Sequence, residues 1–276
     1  MIEPRSWLFV PADSEKKIGK ALDSDADAII FDLEDSVAPQ QKSAARDILK
    51  GLPARSGGPQ WWVRINPLGS EYNKDDLEVL GTADIHGIVL PKTESGADVM
   101  ELAHRTGAIP VHAIVTETAA SLFGLLSYSD PALPLAAMSW GAEDLSAALG
   151  AASKYDADGT LSFTYRLARS LCLAGAVAAG VQPVDGVFAD FRDDEGLKRE
   201  AEAGAREGFT GKLAIHPAQV PIINAAFTPS QDDIEHAEAI VAAFEAHPDA
   251  GVLSVDGKMV DRPHLVQARR VLERSR

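Results

Sequence analysis

The chain is 276 residues long, 46% hydrophobic, and carries a formal charge of −15 from 41 acidic against 26 basic residues. That length suits one large α/β barrel or two smaller domains, and the apolar fraction excludes wholesale disorder. The charge excludes a general nucleic-acid binder, which needs surplus cations, and a protein held electrostatically on an anionic membrane, but it leaves room for an anionic small substrate where a few cations are concentrated.

Short apolar runs alternate with helical stretches along the chain. Strands are expected at residues 6–10, 28–33, 61–65, 87–90, 110–115, 136–140, 185–189 and 213–215. Helices are expected at 14–22, 40–52, 75–80, 95–106, 119–126, near 145, and at 161–179, 193–208 and 217–226. The strands are continuously apolar, not alternating, as expected when both faces of a parallel sheet are covered. Eight βα units in strict alternation point to a (β/α)8 TIM barrel more than to an open sheet. The barrel is expected to occupy residues 1–228. Residues 229–276 read as a C-terminal extension: a helix at 234–247, a hairpin at 251–259 around Asp256-Gly257, and a last helix at 263–274.

The only cysteine, Cys172, lies in an 11-residue apolar run, 171–181, that is too short to span a bilayer. It reads as a buried structural thiol. One cysteine permits no intrachain disulfide, and the N-terminus lacks a long apolar run of the signal-peptide kind, so a cytoplasmic setting is expected.

In such a barrel the active site lies where the strands end. The polar residues at those positions are Asp32, Glu34 and Asp35; Arg64 and Asn66; Lys92; Glu117; Glu143 and Asp144; Asp190; and His216. Carboxylates converging from several strand ends repel one another unless a cation neutralises them. A hard divalent cation such as Mg²⁺ does so with oxygen ligands. No HExxH or paired CxxC is present, which disfavours zinc. The dinucleotide, P-loop and nucleophile-elbow motifs are also missing. Lys92 ends a strand, where a Schiff base is conceivable, but nothing in the sequence indicates a lowered pKa.

The segments 5–12 (RSWLFVPA), 32–37 (DLEDSV), 63–66 (VRIN), 90–92 (LPK), 117–118 (ET), 141–145 (GAEDL) and 211–217 (GKLAIHP) resemble, in order, the citrate lyase beta subunit-like proteins of the HpcH/HpaI aldolase group. That group includes malyl-, citramalyl- and citryl-CoA lyases. The resemblance implies a barrel, Mg²⁺, a CoA thioester, a small 2-oxo acid, and a homo-oligomer (trimer or hexamer). It implies that Glu117 and Asp144 ligate the metal, with Glu117 also facing the substrate, and that Arg64 binds the substrate carboxylate or oxygen. Phe9, Lys20, Ile215 and His216 fall where CoA contacts lie. An arginine common in the first βα loop of these lyases is Ser14 here, with Lys16 and Lys17 close by to compensate. Asp32, Glu34, Asp35 and Lys92 are expected to orient Arg64, one another, or metal-bound water. Residues 256–264 (DGKMVDRPH) resemble the C-terminal lid, in which Asp261 matches a catalytic acid/base reaching a neighbouring subunit. Asp261 also suits a helix N-cap, since Pro263 follows.

The expected activity is therefore Mg²⁺-dependent carbon–carbon lysis of a β-hydroxyacyl-CoA. The alternatives are a pyruvate- or oxaloacetate-dependent aldolase using a free aldehyde, or a lyase subunit acting on an acyl-carrier-protein thioester.

Overall fold

Parallel strands with apolar residues on both faces need two covers, and a closed barrel with an outer ring of helices supplies both. The protein, a computed structural model, is described over residues 3–54, 57–81 and 83–275. Its barrel strands are β1 (Ser6–Pro11), β2 (Ala28–Asp32), β3 (Gln60–Arg64), β4 (Gly87–Leu90), β5 (Val111–Ile114), β6 (Leu135–Ser139), β7 (Gln182–Asp185) and β8 (Gly211–Ala214). They pair in sequence order, and β8 closes onto β1 with Ser6 opposite Lys212 and Leu8 opposite Ala214. The intervening helices are α1 (Glu15–Leu22), α2 (Lys42–Lys50), α3 (Asn73–Leu80), α4 (Gly96–Thr106), α5 (Ser121–Gly124), α6 (Ala142–Leu149), α7 (Phe163–Ala179), α8 (Asp194–Glu207) and α9 (Val220–Ala226). The expected TIM barrel is the architecture found.

Alternation along each strand divides the apolar residues into two groups. Trp7, Ile30, Trp62, Val89, Ile114, Val184 and Leu213 fill the barrel interior. Leu8, Ile29, Phe31, Val63, Ile88 and Leu90 face the helices. The interior also holds His112, whose ring meets Trp7 edge-on at 4.6 Å. Burial lowers this imidazole to about 3, so it is neutral. Continuing the interior alternation upward brings Phe9, Asp32 and Arg64 to the rim, and register sets Asp32 opposite Arg64.

Two strands differ from the sequence expectation in where they begin. The seventh lies at Gln182–Asp185, not 185–189. Gly180 takes a left-handed φ of 70° at the end of α7, and the chain enters the sheet almost at once. Gln182 and Pro183 resemble turn residues in sequence, but Gln182 is buried and its Nε2 donates to the Pro4 carbonyl at 2.8 Å. The carboxylate at this strand end is consequently Asp185, fully buried, while Asp190 lies exposed in the following loop. β8 likewise starts two residues early, because Lys212 is buried inside the strand and not in a loop.

The tail comprises α10 (Gln231–Ala246), β9 (Val252–Val255), β10 (Lys258–Asp261) and α11 (Arg262–Arg274). Asp256 and Gly257, with φ of 52° and 75°, make the two-residue turn of the hairpin. Ile240, Phe244, Val255, Val260 and Leu265 enclose a small apolar cluster there. No helix among the described residues is long and apolar enough to cross a membrane. Cys172 is buried in α7, and burial pushes its thiol above the ordinary range.

Candidate active site

The rim chemistry starts from the register pair. Arg64 Nε and Nη2 donate to the two Asp32 oxygens, each at 2.7 Å. Asp32 is also fixed by the Glu34 amide at 2.9 Å and the Ser36 amide at 3.1 Å. Arg64 Nη1 lies 3.0 Å from Glu34 Oε2, and the guanidinium stands 4.7 Å above the Phe9 ring centre. Burial by itself would lower Arg64, but Asp32, and then Glu34 and Asp35, outweigh it and hold the guanidinium charged. Burial would raise Asp32, but Arg64 outweighs it and holds the carboxyl below its usual value.

Lys92, just after β4, has φ of 53°, a sparsely populated conformation for a residue with a side chain. This conformation brings both of its nitrogens into the site. Its amide donates to Glu117 Oε2 at 2.5 Å. Its Nζ donates to Glu34 Oε1 at 2.6 Å and lies 3.2 Å from Asp144 Oδ1 and 3.5 Å from Asp35 Oδ2. Burial lowers the ammonium's pKa, but the Glu34 hydrogen bond and the surrounding carboxylates outweigh that and raise it. Lys92 is thus held protonated, the opposite of what a Schiff-base nucleophile requires.

Glu117 and Asp144 come from neighbouring units. Glu117 is buried, and burial pushes its carboxyl up to about 8; the Lys92 amide opposes this, while Asp144 and Glu34 add to it. Gly141 packs against it so closely that a Cβ there would stand 2.7 Å from Glu117 Cγ, so a larger residue would displace the carboxylate. Asp144 lies in the first turn of α6 and remains one-third exposed. Its neighbour Glu143 instead pairs with Lys154.

The raised Glu117 pKa has a measurable sign. In the ligand-free chain the fold favours the protonated carboxyl. That contribution is fully present below the ordinary value of 4.5 and is lost as pH rises through about 8. Melting temperature should therefore fall across this window, and Glu117→Gln, which cannot ionise, should flatten the slope. Thermal melts of both proteins from pH 5 to 9 check this, and an unchanged slope in the variant would contradict it.

The structure thus brings together Phe9, Asp32, Glu34, Asp35, Arg64, Lys92, Glu117 and Asp144. Among the described residues, no hydrogen bond or ion pair joins the other candidates to this group. Lys20 is exposed in the last turn of α1. Ser14 caps that helix, accepting the Lys17 amide. Ile215 is exposed after β8, with its amide on Gln219 Oε1 at 2.8 Å. His216 Nδ1 accepts the Ala218 amide at 3.2 Å, and its ring stacks on Phe191 at 4.9 Å. Asp261 caps α11 and lies 2.5 Å from His264 Nδ1. Among the described residues, no hydrogen bond or ion pair joins it to the rim cluster. Asn66, also at a strand end, is structural: its Nδ2 donates to Asp76 and to the Leu33 carbonyl.

Three features escaped sequence reading. Gly141 matters because of a contact with a residue 24 positions earlier, which no local pattern reveals. Phe191 follows the misplaced seventh strand. Asp185 is buried and accepts a hydrogen bond from the Trp140 indole. As for a metal, no group of three or more His, Cys, Asp or Glu side chains is gathered to hold one among the described residues. Glu117 and Asp144 offer two carboxylates, so a cation held here would complete its shell from substrate and water.

The chain is similar to known proteins along nearly its whole length. Residues 5–217 match the family described as HpcH/HpaI aldolase/citrate lyase. A (3S)-malyl-CoA thioesterase of Cereibacter sphaeroides is 40% identical over 277 residues, covering 98% of this chain and 94% of that protein. The human mitochondrial citramalyl-CoA lyase is 36% identical over 290 residues, covering 97% and 84%. The crystal structure of CitE from Mycobacterium tuberculosis with magnesium, acetoacetate and coenzyme A superposes with a TM-score of 0.85 at 38% identity, covering 98% of this chain and 97% of that one.

Proposed function

This chain belongs to the HpcH/HpaI aldolase/citrate lyase family, and from that premise we propose that it is a Mg²⁺-dependent carbon–carbon lyase. Its substrate is a β-hydroxyacyl-CoA of the malyl, citramalyl or citryl type, cleaved to acetyl-CoA and a 2-oxo acid or formed from them. The observation that carries this reading is the pair of carboxylates, Glu117 and Asp144, beside two cations that are both held charged, Arg64 and Lys92.

The donors fit Mg²⁺. Both are hard carboxylate oxygens, and Glu117, raised chiefly by burial and further by Asp144 and Glu34, sits among like charges that a bound cation would neutralise. When bound, the cation supplies Lewis acidity to the oxygens of the 2-oxo acid. Arg64 brings a planar, permanent charge to the substrate carboxylate or developing oxyanion. It does so without reorganisation, because Asp32 grips it from below and Phe9 lies under its plane. Lys92 spaces Glu34, Asp35 and Asp144 as a fixed ammonium. Asp261 exchanges a proton with the enolate carbon of the acetyl-CoA half once the lid excludes water. That it bonds to no member of the rim cluster among the described residues of its own chain suits delivery from a neighbouring copy in a homo-oligomer. Phe9, Lys20, Ile215 and His216 hold the CoA.

A second reading has support from the 40% identity to the C. sphaeroides thioesterase: hydrolysis of the thioester itself. One assay separates the two. Malyl-, citramalyl- and citryl-CoA are each incubated with protein and Mg²⁺, and free thiol and 2-oxo acid are measured together. The lyase leaves the thioester intact, so 2-oxo acid accumulates without free thiol. Free thiol without 2-oxo acid would overturn the lyase reading. Turnover only with pyruvate and a free aldehyde, or only with an acyl-carrier thioester, would replace CoA as the carrier.

A further inference from the structure

Trp140 stands between β6 and Gly141, the N-cap of the helix whose first turn carries Asp144. Its indole is 4% exposed, and Nε1 donates to Asp185 Oδ1 at 2.8 Å. Gly186 seals the other side: a Cβ there would stand 2.9 Å from indole Cε2 and Nε1. Asp185 cannot turn away from this bond. Arg169 holds it through Nε at 2.8 Å and Nη2 at 3.1 Å, Lys212 Nζ lies at 3.2 Å, and the Gly186 amide donates at 2.9 Å. One residue beyond Trp140, the Gly141 amide donates to Thr116 Oγ1 at 3.3 Å, and Gly141 packs on Glu117. The turn that separates Glu117 from Asp144 is therefore anchored at one end by the indole.

We infer that Asp185 and Trp140 are positioning residues: their hydrogen bond holds the turn between β6 and α6, and through it sets Asp144 against Glu117. This rests on the cation site proposed above. Asp185 touches neither carboxylate. It lies on the helix side of the sheet, where α7 and α8 supply Arg169 and Glu200 to the same network. The network ties the β7 end to the β6–α6 turn, so displacement of the indole would reach Gly141 before any other part of the rim.

Trp140→Phe keeps a buried ring and removes the donor, while Arg169, Lys212 and the Gly186 amide still hold Asp185. Arg169→Gln removes a different donor to the same carboxylate, from a helix that does not lead into the turn. Mn²⁺ binding to the full-length chain is measured by electron paramagnetic resonance for each, with a thermal melt alongside. The expected result is about 10-fold weaker Mn²⁺ binding in folded Trp140→Phe, and a lowered melting temperature with unchanged Mn²⁺ affinity in Arg169→Gln. If Trp140→Phe does not fold, Gly186→Ala, which presses on the indole, should give the same weakening. Folded variants of Trp140 or Gly186 binding Mn²⁺ as tightly as the unsubstituted chain would overturn the inference. So would equal weakening in Arg169→Gln, which would mark general loosening. Absence of Mn²⁺ binding by the unsubstituted chain would remove the cation site itself, and the inference with it.

Discussion

Replacing Asp144 with alanine should abolish cation-dependent turnover, with a fall on the order of 10³-fold, and weaken divalent-cation binding by more than about 100-fold. Glu117 cannot make up the loss. It is one buried carboxylate, and without Asp144 the cation would lose one of the two protein oxygen donors that the site offers. The fold should survive, because Asp144 is one-third exposed and its ion pair with Lys92 is one of three that Lys92 makes. Asp261→Ala should behave differently, cutting kcat while leaving cation affinity as it was. Mixing Asp144→Ala with Asp261→Ala chains should restore part of the activity if the lid serves a neighbouring copy. Steady-state rates and Mn²⁺ titrations check each point. Retained activity in Asp144→Ala would overturn the assignment of the metal ligands.

The second large effect is on stability. Asp185→Ala should cost about 3–5 kcal/mol, because it takes the buried one of two carboxylates from a buried lysine and leaves other buried donors without their acceptor. Lys212 is 0% exposed, and after the substitution it would keep only Glu200 at 2.7 Å and the Gly186 carbonyl at 2.7 Å. Arg169 and the Trp140 indole would each lose an acceptor as well. Burial alone would raise the Asp185 carboxyl, but Lys212 and Arg169 outweigh it and hold it well below the ordinary range, so the charge is present at every pH at which the protein is handled. For a chain of this size the loss corresponds to a melting-temperature drop of roughly 10 °C. Calorimetry checks it, and a drop of only a degree or two would mean that the network contributes little.

The alternation of strands and helices was legible because a parallel strand covered on both faces is written as one short apolar run, and eight such runs appear in order. Asp32, Arg64, Lys92, Glu117 and Asp144 were legible as site candidates for the same reason: each stands at or just after the end of such a run, and the barrel turns every strand end toward one rim. Position along the chain does not tell which of two neighbouring polar residues, one or two positions apart, turns inward. Arg64 faces the rim while Asn66 is tied to Asp76, and Asp144 faces Lys92 while Glu143 pairs outward with Lys154. Those choices follow from strand register and helix phase, which are settled only when the barrel closes.

Other features depend on partners far apart in sequence. Lys212 and Gln182-Pro183 fall outside the strands expected at 213–215 and 185–189, because a charged or polar residue within a strand is costly unless a distant partner satisfies it. Lys212 has Asp185, 27 positions away, and Gln182 has the Pro4 carbonyl, 178 positions away. Local pattern was therefore enough for the order of the elements and for the chemistry gathered at their ends. Closure of the barrel decided which charges are buried, which are paired, and how Trp140 and Gly141 set the spacing of the carboxylates, because those terms are energies between residues that only the fold makes neighbours.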